Sequence, residues 1–448
     1  MTNLLLKINY HNKDTHLLFT SFIALSFAIH FSYEVQSFDL FIFSIYSLIT
    51  ITSLWGLFYS DKQNYSVHQT FCVFYYFFFG IAPLVQYQSQ TNFYDTVMVL
   101  QKTYEQLGLL LLGILITYLV AFNKLKNKKI SFPNKKFKTV TPKIEFYYAF
   151  SLLGLFGFLF LSYFSLEYFF KQPPTGWQKL HTRYGLLGYS LLLVARTLPV
   201  ISYLHYKLKF PKNTITHYLL LIITLVCCFP SSLSRSVTIA YYLPIFILNT
   251  SKIFKYKHTY GLLYLLGFYF VFPILNYFRA KNNTIILGTS LFTSGHLDAF
   301  HNFAQGYQMG YISYGKQFIG SILFFIPESI WNNRPIGTGQ HIAEQLNFNH
   351  TNIAYPFFAE GFSNFGYLGI LLFIVIIIAL NLILHPNILQ VCNNLELYNI
   401  LQLYFLGYEF YLIRGDLYSS CKLAFSIALG LLLFYFYLKI YSYFIKNK

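Results

Sequence analysis

The sequence predicts an all-α, polytopic integral membrane protein with about twelve transmembrane helices and one large outer loop that carries short helices. Three observations predict it. Of 448 residues, 56% are hydrophobic and only 10% are charged, against about 25% charged in a soluble domain. Apolar stretches approaching the roughly 20 residues that cross a bilayer recur along the whole chain. The formal charge of +17 comes from basic residues gathered in short loops between those stretches. That is how a membrane protein marks its inward loops, so no nucleic-acid partner is expected. Soluble enzymes, disordered chains and secreted disulfide scaffolds are excluded.

The twelve stretches are 17–33, 40–59, 67–85, 103–122, 145–164, 185–206, 215–230, 236–250, 259–277, 366–384, 398–413 and 422–440. The seventh, eighth and eleventh are short, as expected of helices that are broken, tilted or buried among neighbours. The first is too long for the apolar core of a signal peptide and lacks a small-x-small cleavage site. Loop 123–143 holds Lys124, Lys126, Lys128, Lys129, Lys135, Lys136, Lys138 and Lys143 and no acid. Lys207, Lys209 and Lys212 fall in the next loop of the same parity, and Lys252, Lys255 and Lys257 in the one after. The excess of Lys and Arg places these loops and both termini in the cytoplasm, facing anionic lipid. The cysteines are scattered without a CxxC pair and read as structural.

No internal repeat is visible, so residues 1–448 form one transmembrane domain. Nine spans (17–277) come first, then an outer segment (278–365), then three more spans (366–440). A structureless connection of that length is improbable, and long loops usually carry function. Within it, LFTSGHLDAFHNFAQGYQ (291–308) reads as a helix and FIGSILFFIP (318–327) as an apolar run too short to span. NNRPIGTG (332–339) reads as a turn and HIAEQL (341–346) as a short helix. The segment is expected to lie as a lid over a cavity between the spans.

Polar groups that lipid would not tolerate without a use are the candidates for chemistry. Arg196 lies near the middle of its span, where a guanidinium needs a partner or a wet cavity. Arg235 ends FPSSLSR (229–235), whose Pro and serines interrupt two short helices, and such a break survives only under protein or water. Arg279 and Arg414 close spans nine and eleven on the outer side. Singly each is an interfacial anchor. Together with Arg334 they gather on the outer half of a chain whose lysines lie mostly inside. Guanidinium forks grip phosphate bidentately and stay charged, so the set points to a phosphorylated or diphosphate ligand. Glu360, where the lid enters span ten, and Asp298, three residues from His301 and near His296, are the candidate general bases. His341 and Glu344 match no zinc pattern, so no metal and no cofactor is expected.

FFIPESIWNNRPIGTGQHIAEQLNFNHTNIAYPFFAEGFSNFGYLGI (324–370) resembles the O-antigen polysaccharide polymerase (Wzy) family of bacteria. The residues that carry the resemblance are Phe325, Pro327, Ser329, Trp331, Arg334, Pro335, Gly337, Asn352, Pro356, Glu360, Asn364, Phe365 and Gly366. FFFGIAPLVQY (77–87), FPSSLSR, FPILNYFR (272–279), HLDAF (296–300) and IRGDLYS (413–419) support it in the same order. Where that family often has Lys before the Pro, this chain has Arg334, which keeps the charge.

The resemblance implies a glycosyltransferase-type polymerase of the inner membrane. It would join undecaprenyl-diphosphate-linked oligosaccharide repeat units at the periplasmic face, with the large loop periplasmic. Arg196, Arg235, Arg279 and Arg414 are then expected to hold the diphosphate, and Arg334 to position the lid or glycan. Glu360 or Asp298 would activate the acceptor hydroxyl. A chain-length regulator and a flippase are expected partners. Two alternatives stay open. An O-antigen ligase would depend on an outer-loop histidine, for which His296, His301 and His341 are available. A lipid-linked oligosaccharide flippase should show repeats and short outer loops.

Overall fold

The computed structural model describes residues 2–61, 63–93, 98–127, 142–164, 176–212, 214–271, 288–327, 329–385 and 396–446. Arg279 and Glu328 lie outside them. Among the described residues all regular structure is helical, with no strand. In chain order the helices are α1 (Thr2–Phe31), α2 (Leu40–Ser60), α3 (Val67–Gln88), α4 (Gln101–Leu125), α5 (Ile144–Leu161) and α6 (Gly176–Lys209). They continue with α7 (Ile215–Cys227), α8 (Arg235–Asn249) and α9 (Thr259–Val271). The outer segment contributes α10 (Ala299–Gln308), α11 (Lys316–Ile322) and α12 (Thr338–Gln345). The chain closes with α13 (Phe357–Ile383), α14 (Glu396–Arg414) and α15 (Leu417–Lys446).

Eight of these are long and apolar enough to cross a membrane, namely α1 from Asp14, α2, α3, α4, α5, α7 with the turn that follows it, α13 and α15. The protein is therefore a polytopic helical membrane protein. The other four predicted stretches also lie, over their described residues, on helices α6, α8, α9 and α14, with residues 272–277 of the ninth outside the described residues. Apolar side chains face outward where a soluble protein would be polar: Leu368, Leu371 and Val375 on one side of α13 are each more than half exposed. That surface is suited to hydrocarbon rather than water.

Helix α3 forms the centre and is buried along its entire length. Its aromatic rings interlock with those of α4 and α14: Phe71 stacks on Tyr118 at 3.8 Å, and Phe78 lies 5.8 Å from Phe410. A Cβ at Gly80 would sit 2.6 Å from Thr50 Oγ1, so glycine is what lets α2 come this close.

Polar contacts gather at two ends of the bundle. At one end Asp61 pairs with His385 at 3.1 Å, Thr15 meets His258 at 3.0 Å, and Lys126 donates to the Ser60 carbonyl. These contacts join the connections in which the sequence concentrates lysine. The opposite end holds α10, α11 and α12.

The boundary of the tenth predicted stretch differs from expectation. Helix α13 begins at Phe357, nine residues before the predicted start at 366, and is broken at Phe365 and Gly366. Gly366 has φ +61°, a left-handed value that glycine adopts without a steric penalty. The break folds residues 357–364 back until Gly361 abuts the backbone of Gly369. Glu360 is thus a helical residue rather than a loop residue.

Candidate functional site

Two guanidinium groups converge on the loop before α10. Ser234 caps α8, accepting from Val237 N–H, and so places Arg235 on the first helical turn. Its Nη2 donates to His296 Nδ1 at 3.1 Å. Arg414, the last residue of α14, donates from Nη2 to the His296 carbonyl at 3.1 Å and to Asp298 Oδ1 at 3.4 Å. Its guanidinium also lies 5.7 Å from the centre of the Phe78 ring. Asp298 is buried and accepts a second hydrogen bond from Asn302 Nδ2 at 2.9 Å. Burial first, then Arg235 and Arg414, depress the His296 imidazole to about 3. At neutral pH the cluster therefore carries two cations against one carboxylate and a neutral imidazole.

Arg196 reaches the same region through the interrupted backbone between α7 and α8. Its Nη1 donates to the Ser232 carbonyl at 3.3 Å, in the Pro230–Ser232 turn, and its guanidinium lies 4.7 Å from the Phe158 ring. The interruption expected at FPSSLSR thus has a geometry, with the Arg196 side chain of α6 bonded to the turn and Arg235 on the helix after it.

A second cluster lies on the other side of Arg414. Glu360 is fully buried, accepting from Thr338 Oγ1 at 2.6 Å and from the Leu417 N–H at 2.9 Å. Beside it Asp416 accepts from the Gly339 N–H at 2.9 Å and from the Ser419 N–H at 3.3 Å. Burial raises the Asp416 carboxyl above its ordinary value, against the pull of those N–H donors and of Lys422. Both carboxyl groups bind the beginning of α12 and the beginning of α15. A Cβ on Gly337 would lie 2.7 Å from an Asp416 oxygen, so the lid seats directly on this carboxylate.

Arg334 serves the lid itself. It donates to the carbonyls of Ile326 at 2.8 Å and Phe324 at 3.3 Å, tying Arg334 back to the end of the apolar run before it. Below the lid an apolar cavity of about 480 Å³ runs between α13, α14 and α15. Phe318 and Leu417 stand at the lid end, and Leu384 and Tyr398 at the far end.

No family model, no curated protein and no solved structure matches the chain. The site is therefore read from its own chemistry.

Of the residues singled out in the sequence, Arg235, Arg414 and Asp298 come together, and Arg196 of α6 donates to the adjoining turn. Glu360 and Arg334 hold the lid, and Arg279 lies outside the described residues. His301 packs edge-on against Phe93 at 5.1 Å, and His341 lies 4.6 Å from the Tyr311 ring. Sequence reasoning missed His296 as the residue where both arginines meet, Arg235 at its imidazole and Arg414 at its backbone carbonyl. It also missed Thr338, Asp416 and Lys422. Asp416 carried one legible signal, an acid just before an apolar helix, where a side chain caps backbone N–H groups.

Proposed function

We propose that the chain is an O-antigen polysaccharide polymerase. It would join oligosaccharide repeat units carried on undecaprenyl diphosphate at the periplasmic face of the inner membrane. The observation that carries this reading is the convergence of Arg235 and Arg414 on His296, under an outer segment whose sequence resembles that family. Two fixed cations, with Arg196 close by, suit a diphosphate leaving group whose charge grows as the glycosidic bond breaks. Electrostatic stabilisation of that kind is usually the largest single term in catalysis.

In this reading Arg235 and Arg414 bind the diphosphate, with Arg196 and Arg279 as further contributors. Asp298 orients Arg414 and is the carboxylate nearest the reacting groups. Glu360, with both oxygens engaged, closes the lid through Thr338 and Leu417, and Arg334 shapes it. The apolar cavity under Phe318 offers surface for a polyprenyl chain. The reading also includes about twelve spans, a periplasmic loop over 278–365 and both termini in the cytoplasm. A chain-length regulator and a flippase are its partners.

One observation favours a second reading. An outer-segment histidine, His296, stands within the arginine cluster, as an O-antigen ligase would require. Complementation separates the two. In a strain lacking its polymerase but holding the cognate repeat-unit genes, this chain should restore a ladder of long glycans. Single capped units persisting despite good expression would count against the polymerase.

A further inference from the structure

The proposed chemistry leaves one buried acid unused. Glu409 lies on α14, five residues before Arg414 and so about 7.5 Å from it along the helix axis. Its side chain is fully buried, and neither carboxyl oxygen makes a hydrogen bond. Asn381 of α13 is the polar side chain beside it. Its titratable neighbours are Cys72 of α3, Tyr118 of α4, and Tyr260 and Tyr264 of α9. Among the described residues no cationic side chain from any helix packed there faces it. An ionised carboxylate so placed would have lost its water and gained no counter-charge, a cost that a proton removes.

Beside this acid, at Asn381, a row of hydrogen bonds begins that leads toward the lysine-rich end of the bundle. Asn381 Nδ2 donates to the Tyr118 hydroxyl at 2.7 Å, and that hydroxyl meets His68 Nδ1 at 3.1 Å. His68 Nε2 lies 3.1 Å from the Gly56 carbonyl. A carbonyl only accepts, so Nε2 carries the ring proton and Nδ1 accepts from Tyr118. Every bond in the row then points one way. Beyond His68 stand Asp61 and His385, a hydrogen-bonded pair at the end of the bundle. Asn381 Oδ1 has no donor, and a protonated Glu409 is a group that could supply one.

We propose that Glu409 is a membrane-embedded proton-binding site that exchanges its proton along Asn381, Tyr118 and His68, in the direction of the Asp61–His385 end. The proton sits on the carboxyl of the same helix that ends in Arg414, so its loss would place an uncompensated charge just beneath the arginine cluster.

Infrared spectroscopy of the purified full chain tests this. The difference between wild type and Glu409→Gln should contain the C=O stretch of a protonated carboxyl at neutral pH, where an ordinary glutamate, with a pKa of about 4.3, is ionised. The band should shift in D₂O. In Tyr118→Phe, which breaks the row, the band should remain and its deuterium shift should slow. Carboxylate bands in place of the C=O band would overturn the proposal. Loss of the band on adding Na⁺ at constant pH would also overturn it, assigning the site to a metal cation. Exchange as fast in Tyr118→Phe as in wild type would refute the route. If Glu409→Gln fails to fold, a lipophilic carbodiimide decides on the wild type. It should modify Glu409 at neutral pH and spare the exposed Glu34 and Glu344. An unmodified Glu409 would refute the site.

Discussion

Arg414 and Asp416 stand two residues apart and hold different parts of the outer segment. The guanidinium of Arg414 binds the loop before α10 through the His296 carbonyl and Asp298, whereas the carboxylate of Asp416 binds the start of α12 through the Gly339 N–H. The tight turn from α14 to α15 therefore ties the arginine cluster to the lid. A ligand that moves Arg414 would be felt at α12.

Removing either guanidinium should impair binding more than folding. A hydrogen bond to a charged group contributes about 1.5–3 kcal/mol, so Arg235→Ala or Arg414→Ala should lower activity roughly 10- to 100-fold. In the complementation assay the ladder should collapse to single units, with protein levels unchanged on immunoblots. Arg414→Lys should recover only part of it, because an ammonium lacks the planar fork. Wild-type ladders from both alanine variants would remove these residues from the site.

His296 should make the docking of its loop sensitive to acid. Its imidazole sits near about 3 in the folded protein, against an ordinary 6.5. The unfolded loop therefore takes up a proton that the folded loop refuses. The contribution is present in full above pH 6.5 and falls as pH drops toward 3. Hydrogen exchange in residues 290–298 should accelerate over that window, and His296→Gln should flatten the dependence. A bound anion should oppose the effect by offsetting the two arginines.

Much of this arrangement was legible in the sequence, for identifiable reasons. Apolar length and lysine-rich loops mark the helices because the bilayer imposes both, and over its described residues each predicted stretch lies largely on a helix. Arg196, Arg235 and Arg414 were visible because lipid penalises guanidinium groups. The meeting of Arg235 and Arg414 at His296 was not legible, since those positions are brought together only by tertiary packing. The pairing of Glu360 with Thr338 and Leu417 was hidden for the same reason. The bend at Gly366 also moved Glu360 into a helix that hydropathy alone had started later. Nor does an apolar pattern distinguish the central α3 from helices with a lipid-facing side.

Thr338 should be required as a hydroxyl. Thr338→Val leaves the buried Glu360 without its 2.6 Å donor, a loss of about 1–3 kcal/mol, whereas Thr338→Ser keeps it. Limited proteolysis between residues 323 and 347 should be faster in the valine variant and ordinary in the serine variant. Equal protection of both would show that the lid is held by other contacts.

Gly369 should tolerate no side chain. A methyl group there would collide with the backbone of Gly361, which cannot move like a flexible side chain. Gly369→Ala should destabilise the protein by about 1–3 kcal/mol, read as a lower thermal midpoint in detergent. Gly113→Ala is the control, since a Cβ there meets nothing within 4 Å.

The central claim is that Arg235 and Arg414 grip a lipid-borne diphosphate. Equilibrium binding of a short-chain polyprenyl diphosphate to the purified protein tests it most directly. Wild type should bind in a salt-sensitive manner, and each alanine variant should weaken binding by about tenfold or more. An affinity unchanged in the Arg235→Ala, Arg414→Ala double variant would contradict the account.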